Sequence, residues 1–173
     1  MTDNYNWTIA QPIRSFSLPR YEQLPAVGLY LDQVAKYITE LLQPVCEGAL
    51  TGSMISNYVK KDIIDNPVKK LYSREQIAYL IFIAVAKSVL TMEEIRLLIS
   101  LQRNSYSPQR AYDYFCNEFE NVLQFVFGLK PNIDTIGVDA TPEKNILRST
   151  IITVAYRIYL DKNCSALQNE KQS

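Results

Sequence analysis

Apolar residues recur along most of the chain at the spacing of α-helices. From Leu29 onward they return every three or four positions, and charged residues occupy the opposite side of each stretch. Serine or threonine precedes several stretches and proline or glycine follows them, as helix N-caps and helix ends require. The pattern predicts an all-α protein with helices over about 29–43, 51–61, 73–86, 91–101, 107–127 and 141–161.

Two capping boxes mark the starts of the middle helices. Residues 73–76, S-R-E-Q, precede a helix that is apolar on most sides and is therefore expected to be the most buried element. Residues 91–94, T-M-E-E, open the next helix. Almost no linker separates the two helices near residue 90, which predicts a sharp corner and not a domain boundary.

The two ends of the chain are expected to lie outside the packed helices. Residues 1–26 contain three prolines, each of which lacks an N–H donor and restricts the residue before it, so we predict an arm without a helix. The apolar members of residues 18–25 are expected to hold this arm on the domain. Residues 163–173 are rich in Gln, Asn, Lys and Ser, and we predict a disordered tail there.

A row of apolar residues along the helix at 107–127 has the spacing of a short coiled-coil seam. Its members are Tyr112, Phe115, Phe119, Val122 and Val126. Such a row is most often core, but a homodimer interface is an alternative, and we assign the row to a dimer interface. A ligand pocket lined by aromatic residues of this region is a third possibility. These aromatic residues are Tyr106, Tyr112, Tyr114, Phe115, Phe119, Phe125 and Phe127.

Composition argues against an enzyme. The 173 residues include no histidine, which excludes Ser-His-Asp and Cys-His nucleophile systems and histidine-bearing metal sites. The three cysteines are far apart, and the five glycines form no phosphate-binding motif. Asp113, Glu118 and Glu120 do not converge on one helix face and are predicted to be solvated surface. We therefore expect no catalytic residue, no cofactor and no metal.

Charge and hydropathy restrict the partners of the chain. Eighteen basic residues balance eighteen acidic ones, which excludes nucleic-acid binding through bulk positive charge alone. The N-terminus lacks a secretory signal pattern. The longest apolar run, 77–86, is about half of the ~20 residues that a membrane span requires. We expect a cytoplasmic protein that does not enter the membrane.

Residues 50–74 differ from the rest of the chain in their layout. They read as a short helix, a turn, a short extended piece and the start of a long helix, which is typical of a winged helix-turn-helix. In the short helix, Ser53, Ser56, Asn57 and Lys60 lie at i, i+3, i+4 and i+7 and share one face. Such side chains are able to read base edges, and asparagine pairs with adenine through two hydrogen bonds. The alternative is an ordinary solvated helix face.

Basic residues cluster around this short helix. The predicted phosphate contacts are Lys60, Lys61, Lys69, Lys70 and Arg74. Residues 50–75 contain these five basic residues and three acidic ones. The segment therefore has a net charge of plus two on a chain whose total is zero. The alternative for residues 69–74 is a charged turn that protects a small strand edge. Tyr72 is expected to be a core residue beneath the turn.

The same segments carry a resemblance to known families. The strings L-P-R-Y-E-Q-L-P at 18–25, L-T-G-S-M-I-S-N-Y-V-K at 50–60 and K-L-Y-S-R-E-Q-I-A-Y-L at 70–80 resemble the bacterial domain-of-unknown-function family 1836 over most of 18–100. Residues 50–101 also resemble the N-terminal DNA-binding domain of MerR-type regulators. That resemblance implies a winged helix-turn-helix with a nucleic-acid face. Ser53 and Ser56 stand where MerR-type recognition helices usually carry arginines, and the wing is cut down to residues 67–70.

Together these features predict a MerR-like helix-turn-helix domain with a reduced wing over 27–101, followed by a C-terminal helical pair within 102–162. The predicted function is sequence-specific binding of double-stranded DNA by a homodimeric bacterial transcriptional regulator. The alternative is a non-enzymatic protein–protein adaptor that keeps a degenerate helix-turn-helix. No small-molecule effector is assigned.

Overall fold

A computed structural model of the chain describes residues 2–135 and 140–170. Within these residues the chain forms seven α-helices, one short 3₁₀ helix (Tyr21–Gln23) and isolated antiparallel bridges, so it is all-α as predicted. The helices are α1 (Thr2–Arg14), α2 (Leu31–Leu42), α3 (Gly52–Lys60), α4 (Arg74–Ala86), α5 (Met92–Ser105), α6 (Pro108–Val126) and α7 (Pro142–Glu170). The first residue of the predicted arm, the predicted loop at Gly137 and the last three residues of the predicted tail lie outside this range.

Four helices begin at the residues that the sequence predicts. In each case the N-cap hydroxyl accepts a hydrogen bond from the backbone N–H three residues later, which satisfies a donor that has no partner within the helix. The four caps are Thr51, Ser73, Thr91 and Ser107. Because this hydrogen bond is local, the sequence pattern is sufficient to place these helix starts.

The predicted central helix is the most buried element of the fold. Ten of the thirteen residues of α4 are buried, which requires neighbours on all sides, and α4 packs against α2, α5, α6 and α7. One continuous cluster of buried residues extends from Ala10 to Ile158. The helices within 27–101 and those within 102–162 therefore share a single core.

The prediction that residues 1–26 form an arm without a helix is wrong, because α1 occupies Thr2–Arg14. Ile9, Ala10 and Ile13 are buried, and α1 packs against α6 and α7. Pro12 lies in the last turn, where its missing N–H removes only one helical hydrogen bond. Burial of the apolar side of α1 outweighs this loss.

The predicted disordered tail is helical as far as it is described. α7 has 29 residues and continues to Glu170. Neither glycine nor proline follows Pro142 in this helix, and the Asn163 side chain donates a hydrogen bond of 2.7 Å to the carbonyl of Tyr159. The polar composition of the tail thus reflects an exposed helix end. Among the described residues, no helix combines the length and the apolar character that crossing a membrane demands.

Candidate nucleic-acid interface

Helix α3 separates its side chains into a buried side and an exposed side. Ile55 and Tyr58 are buried against the core, where α3 packs against α2. The other side, which we call the α3 face, consists of Ser53, Ser56, Asn57 and Lys60. All four of these residues are exposed. The side chains predicted to read bases are therefore open to solvent.

An open depression adjoins the α3 face. It measures about 730 Å³ and lies between the start of α2 and α3. Its lining residues are Leu31, Asp32, Gly52, Ser53, Ser56, Asn57 and Lys60. The surface is wide and polar, and Asp32 is the one acidic residue in this lining.

The predicted extended piece at 68–72 is a tight turn, which we call the lysine turn (residues 68–71). The Leu71 N–H donates to the Val68 carbonyl at 2.9 Å, and the two central residues, Lys69 and Lys70, have φ of 51° and 67°. Both lysines are exposed. Positive φ at both central positions favours Asn and Gly, and a bulkier side chain there costs about 1 kcal/mol or more for each residue.

The lysine turn is anchored next to the start of α2. Leu29 and Tyr72 exchange two backbone hydrogen bonds, of 3.1 and 2.8 Å. A Cβ at Gly28 would lie 2.8 Å from the Leu71 Cβ, so this close approach requires glycine. Tyr72 is buried beneath the turn, as predicted. The start of α2 thus adjoins both the lysine turn and the depression beside the α3 face, which we call the polar depression.

The segment that follows α3 is held by α4 and α5. Arg96 donates a hydrogen bond of 2.7 Å to the Lys61 carbonyl, and Arg103 forms an ion pair of 3.2 Å with Asp65. The Gln76 side chain donates to the Asp65 carbonyl at 2.8 Å. The side chains of Lys60 and Lys61 remain exposed at this end of α3.

Arg74 differs from the other predicted phosphate contacts because other side chains of the chain already engage it. Its Nη1 donates to Glu22 Oε2 at 2.7 Å, and its guanidinium lies 5.7 Å from the centre of the Tyr21 ring. Only 23% of the Arg74 side chain is exposed. Its geometry favours a role in attaching residues 18–25 to the domain.

Three acids of α6 that were predicted to be solvated surface are structural, and that prediction is wrong. Glu120 accepts two hydrogen bonds from the Arg20 guanidinium, of 2.7 and 2.8 Å, and Asp113 accepts one from the Tyr21 N–H. Glu118 is buried, with Arg148 Nε 3.0 Å from its Oε1. Burial raises the pKa of Glu118, and the Arg148 guanidinium opposes this rise. Sequence spacing did not reveal these pairs, because about 100 residues separate Arg20 from Glu120.

The row of residues assigned to a dimer interface is covered by the chain itself. Four of its five members, Tyr112, Phe115, Phe119 and Val122, are buried, and Val126 is half-buried. The Phe119 ring stacks on Phe115 and meets the edge of Phe16. A second copy that used this row would have to displace parts of the same chain.

Residues 19–115, more than half of the chain, match the family described as "Domain of unknown function (DUF1836)". No curated protein and no solved structure matches the chain. The matched range includes residues 18–25 almost entirely, the α3 face, the lysine turn and the first part of α6.

Proposed function

The chain belongs to the family described as domain of unknown function DUF1836, and we propose that it is a non-enzymatic, sequence-specific DNA-binding transcriptional regulator that acts as a homodimer. In this proposal α2 and α3 form a MerR-like helix-turn-helix, and the lysine turn is its reduced wing. The observation that carries the proposal is the lysine turn. Its two exposed lysines adopt a strained backbone conformation next to the start of α2.

The strain at the lysine turn is an argument for function. Asn and Gly would adopt its positive φ values at lower cost, so the backbone gives no reason for lysine at either position. An ammonium group at each position supplies positive charge at the tip of a projecting turn. Strained residues that persist in a structure often mark a functional contact. Lys69 and Lys70 would bind phosphates there, together with Lys60 and Lys61.

The α3 face would read base edges in the major groove. This groove of B-DNA is about 12 Å wide and admits an α-helix. Ser53, Ser56 and Asn57 are exposed on one side of α3 and have both donors and acceptors. Asn57 is suited to a two-point contact with adenine.

An exposed apolar row on α7 supports a homodimer better than the row on α6. Tyr156, Leu160 and Leu167, which we call the α7 stripe, are 48%, 56% and 51% exposed. Their spacings of four and seven place them on one side of the helix. A second copy that packed its own α7 stripe on this one would cover both, as the isologous contact of a two-fold dimer does.

Selection of bound sequences from randomised duplex DNA tests the proposal. The full chain is expected to enrich a defined sequence, and Asn57→Ala is expected to relax preference at one position, with a loss of about 1–3 kcal/mol in discrimination. Asn104→Ala, at an exposed position of α5, serves as the matched control and should leave the selected sequence unchanged. Failure to enrich any sequence would overturn the proposal.

A protein–protein adaptor is the second candidate. The α7 stripe favours it, because exposed apolar rows also serve as docking surfaces for other proteins, and the chain has no net charge. Light scattering together with the selection of bound DNA separates the two candidates. A homodimer that Leu160→Glu dissociates agrees with the regulator, whereas a monomer that binds no DNA favours the adaptor.

A further inference from the structure

A second concavity lies among α4, α5, α6 and the start of α7. It has a volume of about 290 Å³, and its walls are mainly apolar. Its aromatic lining side chains are Tyr79, Phe82, Tyr106, Tyr112, Tyr114 and Phe115. We call this space the aromatic cavity. We propose that it binds a small aromatic carboxylate, and this proposal does not depend on DNA binding.

The walls of the aromatic cavity are held in place before any ligand binds. The Tyr79 hydroxyl donates to Gln102 Oε1 at 2.7 Å, and Gln102 Nε2 donates to the Tyr106 carbonyl at 2.7 Å. Phe82 and Phe115 meet edge to face, with ring centres 5.5 Å apart. The Gln102 amide is thus satisfied within the protein, and the rings present apolar surface to the space between them.

The size of the cavity restricts its ligand to about two rings. A dry cavity of about 150 Å³ lined by aliphatic and aromatic side chains holds one benzene molecule. The volume here is about 290 Å³, close to the lower end of the range for small-molecule sites. Aromatic walls favour a flat ligand, because offset and edge-to-face ring contacts are favourable.

One side of the cavity is suited to an anionic group. The Arg110 guanidinium lies 5.1 Å from the centre of the Tyr106 ring, and the Lys144 ammonium lies 5.3 Å from that of Tyr114. Within the described residues, no carboxylate is in ion-pair distance of Arg110. Its guanidinium is therefore available for a two-point contact with a ligand carboxylate.

Two acidic residues also line the cavity, and they define the competing preference. Glu75 belongs to the first turn of α4, and Glu143 precedes Lys144 in α7. If these acids governed recognition, a cationic ligand would bind better than an anionic one. The charge of the preferred ligand is thus a direct test of the role of Arg110.

Calorimetric titration of the full chain with three matched compounds tests the proposal: 2-naphthoate, 2-naphthamide and 2-naphthylmethylammonium. We expect one molecule of 2-naphthoate to bind per chain, at least about tenfold more tightly than 2-naphthamide. The ammonium compound should bind most weakly. Absence of saturable 2-naphthoate binding, equal affinity for the amide, or preference for the ammonium compound would each overturn the proposal.

Two variants locate the binding. Arg110→Gln should weaken 2-naphthoate about tenfold and leave 2-naphthamide unchanged, because only the charged contact is lost. Ala111→Leu, which fills part of the cavity, should weaken both compounds about tenfold, with helical content checked by circular dichroism. Arg14→Gln, at an exposed position of α1, is the matched control and should change neither. Unchanged binding of 2-naphthoate in Arg110→Gln would contradict the proposed site.

Discussion

The polar depression beside α3 and the aromatic cavity differ in how open they are and in the polarity of their walls. The first is open, and the side chains of the α3 face that line it are exposed. The second lies between four helices, and several of its walls belong to the core. An open polar surface suits a large, hydrated partner, whereas an apolar pocket suits a small molecule. Substitutions on the α3 face should therefore change binding with little effect on the free energy of unfolding. Substitutions of core residues behind the cavity should mainly lower the free energy of unfolding.

The largest expected difference between the two regions is in stability. Phe119→Ala removes a ring that is 0% exposed and contacts Phe115 and Phe16, so we expect a loss of about 3–5 kcal/mol in the free energy of unfolding. Ser56→Ala, on the α3 face, should change it by no more than about 0.5 kcal/mol. Urea denaturation followed by circular dichroism measures both. Equal losses in the two variants would contradict the division between the regions.

The lysine turn provides a change in the opposite direction. Replacement of Lys69 by Asn together with Lys70 by Gly should raise the free energy of unfolding by about 1 kcal/mol, because these residues accept positive φ. Lys69→Ala with Lys70→Ala is the matched control, since it removes the same charges without relief of strain. Both pairs should lose DNA affinity to a similar extent. An Asn-Gly pair no more stable than the Ala-Ala pair would contradict the strain argument.

A smaller and pH-dependent effect is expected at Glu118. Burial raises the pKa of this carboxyl above its usual 4.5, so the folded chain binds the proton more tightly than the unfolded chain. Stability from this group is therefore lost as the pH rises from about 4.5 through the folded pKa. In Glu118→Gln this decline disappears, and the variant should gain melting temperature relative to the native chain as the pH rises.

Melting curves between pH 4.5 and 7.5 measure this difference. Asn104→Ala, at an exposed position of α5 that carries no titratable group, is the control and should give a constant difference from the native chain. A Glu118→Gln variant that loses melting temperature relative to the native chain as the pH rises would show that the Arg148 ion pair outweighs desolvation.

Predictions from the sequence hold where the physical cause is local. The Thr51 and Ser73 hydroxyls start their helices by accepting hydrogen bonds from the backbone N–H three positions later. The apolar character of 77–86 likewise predicts a buried helix, and α4 is buried. The predictions fail where distant segments decide the outcome. The helix α1 exists because α6 and α7 cover its apolar side, whereas its one proline, Pro12, and its polar residues argue against a helix.

The candidate site divides in the same way. The α3 face follows from helical spacing alone, so its exposure was predictable. The positive φ of Lys69 and Lys70 was not, since lysine gives no signal for such a turn. The attachment of Arg74 to Glu22 and the aromatic cavity depend on how separate segments pack, which spacing along one helix does not reveal.

The most direct test of the account is the salt dependence of DNA binding by the native chain on its selected sequence. If a dimer neutralises roughly six phosphates, affinity should fall by about three orders of magnitude between 50 and 200 mM salt. Lys69→Ala with Lys70→Ala should reduce the slope by roughly three to four, whereas Arg74→Gln should leave it nearly unchanged. Affinity that does not vary with salt, or a slope that the lysine pair does not alter, would contradict the assignment of the lysine turn as a phosphate contact.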